Sequence, residues 1–133
     1  MKRILTAAVL SLAATAAHAE IYECDFSRGG AGGWVAPVIA VNVDLDSNSA
    51  QVVDGFTLQR QDGWFDARLT SKTKKRFTVK WRLPRQKDRL NQNAHLDYRL
   101  TVLLPSLKAN ASMSPVGYDN NFNTHGTCKL VQS

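Results

Sequence analysis

Two cysteines, Cys24 and Cys128, are the residues whose type and separation most directly specify a chemistry. An even cysteine count in an exported chain reads as a disulfide, and two cysteines allow one intramolecular pairing. In the chain-entropy picture, closing a loop this long stabilises a fold by about 4 to 5 kcal/mol. Disulfide geometry holds the two Cα atoms within about 7 Å, so the first and last strands are expected to be neighbours. Two free thiols or a metal pair are the alternatives, and for the metal Asp25 and His125, the nearest further ligand types, do not stand at ligand spacing.

Other reactive types are sparse. His95 stands two residues before Asp97 on one side of an extended segment, a spacing that reads as a surface hydrogen bond. No serine stands in a nucleophile-elbow context that would turn the pair into a relay. His125 lies close to Cys128, whose sulfur is already assigned to the disulfide. Asp44 and Asp46 alternate with Leu45 before Ser47-Asn48, without the dense acidic and glycine-bearing loop of a calcium site. The glycines between Gly29 and Gly33 have no following helix to cradle a phosphate, so they read as a loop. We therefore expect no catalytic residue, no metal ligand and no cofactor.

Binding chemistry concentrates in charge. From Arg68 to Arg89 the chain carries ten cations (Arg68, Lys72, Lys74, Lys75, Arg76, Lys80, Arg82, Arg85, Lys87 and Arg89) against one acid, Asp88. Alternation puts Arg76, Lys80 and Arg82 on one outward face, with Arg99 expected on a paired strand. These four are the candidate anion-binding residues, because clustered like charges create a potential that attracts an anionic partner. The expected partner is an anionic envelope surface or an acidic protein. The plainer role of such a face is solubility and deterrence of edge-to-edge pairing. Nucleic acid is not expected: single-strand binding wants stacking aromatics beside the cations, and Phe77, Trp81 and Tyr98 fall on the opposite, core-facing sides.

A second candidate surface is the amide-rich segment from Gly117 to Gly126, read as a loop before the last strand. Tyr118 and Phe122 are its recognition anchors. The alternative function attached to it is a small enzyme-inhibitor or ligand-binding barrel acting through this loop.

The elements that position these residues are strands. Phe77, Val79, Trp81 and Leu83 alternate with Arg76, Thr78, Lys80 and Arg82, and Leu96, Tyr98, Leu100, Val102 and Leu104 form a second such face. Further strands are expected over 21–26, 35–45, 50–53, 64–70, 107–113 and 124–131, punctuated by turns at Asp46-Ser47-Asn48, Asp54-Gly55, Asp62-Gly63, Pro105-Ser106 and Pro115-Val116-Gly117. Some eight short strands with frequent turns make an all-β antiparallel barrel or sandwich, its first and last strands joined by the disulfide.

The N-terminus sets the expected compartment. Met1-Lys2-Arg3, an apolar run from Ile4 to Leu12 and Ala17-His18-Ala19 form a cleavable export signal over residues 1–19. Its apolar run is too short to span a bilayer. Removing nineteen of the 133 residues leaves 114, one domain over 20–133, and takes two cations and no acid from the formal +6, leaving +4. The sequence thus describes a periplasmic or secreted, disulfide-stapled, non-catalytic β module, expected to bind anionic surfaces through its basic face.

The Tyr22-Glu23-Cys24 start and the Gly126-Thr127-Cys128 end resemble small periplasmic lysozyme-inhibitor barrels, whose disulfide also involves the last strand. The likeness covers the chain ends alone. The middle lacks those proteins' Ser-Gly-x-x-Tyr-type inhibitory loop, and a partner of a cationic enzyme calls for an acidic face where this chain's strongest patch is basic.

Overall fold

The computed structural model describes residues 19–29, 33–87 and 93–133. The expected export signal apart from Ala19, Gly30 to Gly32, and Asp88 to Gln92 lie outside the described residues. Eight strands follow one another: β1 (Ala19–Asp25), β2 (Val38–Asp44), β3 (Ser49–Val53), β4 (Phe65–Lys72), β5 (Arg76–Lys87), β6 (Asn93–Leu103), β7 (Lys108–Pro115) and β8 (Phe122–Gln132). Each pairs antiparallel with the next, and β8 returns to β1, so the sheet closes into an up-and-down barrel. Of the two architectures the alternation allowed, the molecule is the barrel. Among the described residues the one helical piece is a 3-10 turn, Thr57–Gln59.

Closure rests on the β1–β8 seam. Cys24 lies directly opposite Cys128 in the register, and the two sulfurs are bonded across 104 residues of chain. The seam is tight beyond the disulfide. A Cβ on Gly126 would stand 2.1 Å from the Asp25 carbonyl oxygen and 2.7 Å from the Phe26 ring. Glycine is therefore the side chain this close approach allows. On the outer side of the seam Lys129 pairs with Glu23 at 3.6 Å.

An eight-stranded barrel has an interior just wide enough for side chains to fill, and this one is filled by the alternating apolar set. Two inward rows run from bulky residues on β5 and β6 to small ones on β7 and β8, and a third is bulky throughout. Phe77 faces Val102, then Ala109, then Gly126; Val79 faces Leu100, Ala111 and Thr124; Trp81 faces Tyr98, Met113 and Phe122. The small residues of β7 and β8 leave room for the bulk supplied by β5 and by Phe26. Trp81 stacks on Tyr98 with ring centroids 5.3 Å apart, and Tyr22 packs against Phe77 at 5.4 Å. The outward partners of these rows are the polar residues between them.

That alternation generates a contrast between neighbours. Trp81→Ala is expected to cost roughly 3 to 5 kcal/mol, because it empties the largest side chain of the core. Lys80→Ala, one residue away and facing out, is expected to stay within about 0.5 kcal/mol. Chemical denaturation of both variants checks this, and similar costs would refute the register. For the seam, reduction should expose two thiols and add about 2 Da to the intact mass. A cross-link worth about 4 kcal/mol in a domain of this size should also lower the melting temperature by more than about 10 °C on reduction. Two alkylatable thiols in the native protein would count against both bond and seam.

Candidate functional site

The basic residues assemble on the outer face of β4 to β8. Arg68 on β4 lies directly opposite Lys80 on β5, Lys80 opposite Arg99 on β6, Arg99 opposite Ser112 on β7, and Ser112 opposite Asn123 on β8. Neighbouring strands are about 4.8 Å apart, so these five residues form one transverse row with a contour of about 19 Å. A surface groove of about 750 Å³ includes all five in its lining.

Two further rows flank this one, and both are occupied with themselves. On the side toward the β5–β6 hairpin, Arg82 makes a bidentate pair with Asp97, Nε to Oδ1 at 2.6 Å and Nη2 to Oδ2 at 3.0 Å. In the same row Ser114 Oγ donates to Asn121 Oδ1 at 2.7 Å. On the other side the Thr78 and Thr101 hydroxyls bond at 2.9 Å, and the Asn110 amide oxygen meets the His125 ring nitrogen. The middle row has none of this. Among the described residues, Arg68, Lys80, Arg99, Ser112 and Asn123 make no side-chain hydrogen bond or ion pair. Like charges directly opposite on paired strands destabilise a sheet, so the Arg68–Lys80–Arg99 row stands at a cost to the fold.

Of the four anion-binding candidates, Lys80 and Arg99 stand side by side in this row. Arg82 shares their face, but its charge is engaged by Asp97, whose hydrogen bond and charge raise the guanidinium pKa above its ordinary value. Arg76 is exposed on the same strand, four residues or roughly 13 Å from Lys80 along β5. The residue that sequence reasoning left out of the set is Arg68. The β4–β5 register shifts between Leu69 and Ser71. Without that bulge the pairing of Ser71 with Thr78 would continue to Leu69 against Lys80. The bulge turns Leu69 inward and sets Arg68 beside Lys80. The hydrogen bond expected between His95 and Asp97 is not made, because the register places Arg82 opposite Asp97 and takes both carboxylate oxygens.

The amide-rich segment divides. Its end, from Phe122 onward, belongs to β8, so the loop is shorter than expected. Phe122 is half-buried and faces Trp34 with centroids 5.5 Å apart, while Tyr118 is exposed in the loop. Phe122 thus packs against the barrel end, and its amide neighbours Asn121 and Asn123 contribute to the groove.

One buried carboxyl stands at the same barrel end. Asp54, 4 % exposed, accepts the Phe56 and Thr57 backbone N–H groups on Oδ1 at 2.8 Å each and so organises the 3-10 turn. The Thr57 hydroxyl accepts the Asp54 N–H in return. Oδ2 has no partner among the described residues. Burial pushes the Asp54 pKa up, against the lowering effect of the two backbone donors. Burial, then the Asp54 charge, likewise raises the Tyr98 hydroxyl, which donates to the Trp34 carbonyl at 2.9 Å. Among the described residues no group of three or more His, Cys, Asp or Glu could hold a metal.

Comparison with protein-family models, with curated proteins and with solved structures finds no match to this chain.

The raised Asp54 pKa has a definite sign in stability. The native state holds this proton more tightly than the unfolded chain, so stability falls as pH rises from the unfolded carboxyl value of about 3.9 through the native one. Asp54→Asn keeps the Oδ1 acceptor and removes the titration. The melting temperature of the variant, taken relative to the native protein, should therefore climb as pH goes from about 4 toward neutrality. A difference that stays flat with pH would show that Asp54 ionises without penalty.

Proposed function

We propose that this protein is an exported, non-catalytic binding module that engages anionic surfaces of the cell envelope through the outer face of β4 to β8. The observation that carries this reading is the unpartnered row of Arg68, Lys80 and Arg99. Three cations sit in directly opposed positions with no carboxylate partner among the described residues, while Arg82 in the adjoining row is paired with Asp97. A face needed only for solubility gains nothing from aligning its charges where they repel. Export is supported by the leader-like N-terminus. A disulfide, and the absence among the described residues of a helix long and apolar enough to cross a membrane, are compatible with it.

Binding of this kind is mainly electrostatic and follows the screening length, which falls from about 10 Å at 0.1 M salt to about 3 Å at 1 M. Co-sedimentation with anionic cell-wall fragments or anionic vesicles should succeed at low salt and fail at 1 M, and neutral vesicles should leave the protein in solution. Replacing Arg68, Lys80 and Arg99 together by Gln should abolish binding with an unchanged or slightly raised melting temperature, since the repulsion goes with the charges. Wild-type protein that ignores every anionic material at low salt would reduce the row to a solubilising face.

A further inference from the structure

The row is not uniform, and its two halves say more about the ligand than its charge does. On β4, β5 and β6 it presents cations; on β7 and β8 it presents the Ser112 hydroxyl and the Asn123 amide, groups that both donate and accept. All five are unpartnered among the described residues, whereas the rows along both sides are paired within themselves. A ligand laid along the groove therefore meets three fixed positive charges and then two neutral hydrogen-bonding groups, on a line across the strands.

We propose that the groove holds a segment of an acidic polysaccharide lying perpendicular to the strands, its acidic groups over Arg68, Lys80 and Arg99 and its hydroxyls over Ser112 and Asn123. This inference rests on the anion-binding reading and specifies its ligand. A polymer carrying acids and hydroxyls on one backbone can use both the donors and the acceptors of Ser112 and Asn123, whereas a polymer of acids alone can use their donors only. Single-stranded nucleic acid would want aromatic faces beside the cations, but Trp81 and Tyr98 in the neighbouring positions point into the core, 4 % and 2 % exposed. A bilayer surface would want apolar side chains to insert, and the exposed large apolar residues, such as Trp34, Leu58 and Leu130, stand outside the row.

Four probes separate the cases: polygalacturonate, with acids and hydroxyls; polyglutamate of matched charge, with acids and peptide groups but no hydroxyls; dextran, with hydroxyls and no acids; and vesicles of phosphatidylglycerol. Affinities are measured on the full disulfide-bonded chain at low salt. Polygalacturonate should bind about tenfold tighter than polyglutamate, the effect of one or two added hydrogen bonds, and dextran should not bind. The double variant Ser112→Ala, Asn123→Ala should lose that advantage and keep the polyglutamate affinity. The Arg68, Lys80 and Arg99 to Gln variant should bind neither polyanion. Equal binding of the two polyanions, a double variant without effect, or a preference for the vesicles would overturn the polysaccharide inference while leaving the anion-binding face in place. No binding to any of the three anionic probes would overturn both. Melting curves of each variant separate lost binding from lost fold.

Discussion

The whole arrangement depends on β1 meeting β8. An open eight-stranded sheet of this sequence would carry two unpaired edges and an unsealed apolar face, and closure removes both at once. The disulfide holds the meeting point from the inside, with Cys24 and Cys128 facing each other in the interior layer. It acts together with an absence of bulk. Gly126 lets the end of β1 and the Phe26 ring come within a distance no other side chain permits, and Gly29 stands equally close to Thr124. The seam is thus set by a covalent bond and by two positions where nothing projects, and the three lie within a few residues of one another in space.

Once the barrel is closed, inside and outside are no longer independent. Lys80 stands between Val79 and Trp81, Arg99 between Tyr98 and Leu100, and Arg68 between Ala67 and Leu69. The inner residues of these triplets are held by the filled core, so each cation leaves the surface from a fixed point. The rows above and below relax their polar groups by pairing them. The middle row has no such outlet among the described residues, and the repulsion within it is balanced by the packing beneath. Local electrostatics and global packing disagree here, and a disagreement of that kind marks where a protein has kept something other than stability.

Much of the fold is legible in the sequence because alternation is a local signal. All eight strands overlap the segments that the period-two pattern and the turn residues mark, with ends that shift by a few residues (β2 begins at Val38 and β8 at Phe122), and the core face of β5 and β6 is as the pattern reads. What escaped is whatever depends on register between strands. The bulge near Thr70, which brings Arg68 into the row, leaves no mark in β4 beyond the switch of its own alternation. The pairing of Arg82 with Asp97 needs the β5–β6 offset across a hairpin whose tip has no decisive turn residue. Phe122 reads as a loop anchor because the residues around it are amides and glycine, yet its ring finds Trp34 and starts a strand. Asp54-Gly55 reads as a plain turn; the capped 3-10 geometry comes from the Asp54–Thr57 exchange, visible only once both are buried.

The transverse row also behaves as a scale with a constant pitch. Its graduations are set by the hydrogen-bond ladder between strands, about 4.8 Å per step, and not by the side chains that happen to occupy them. The identity of any one graduation can change by a single outward substitution without disturbing its neighbours or the core. Shifting the pitch itself would require rebuilding the barrel. A surface of this kind separates the question of what is recognised from the question of how far apart, and it leaves only the first open to gradual change.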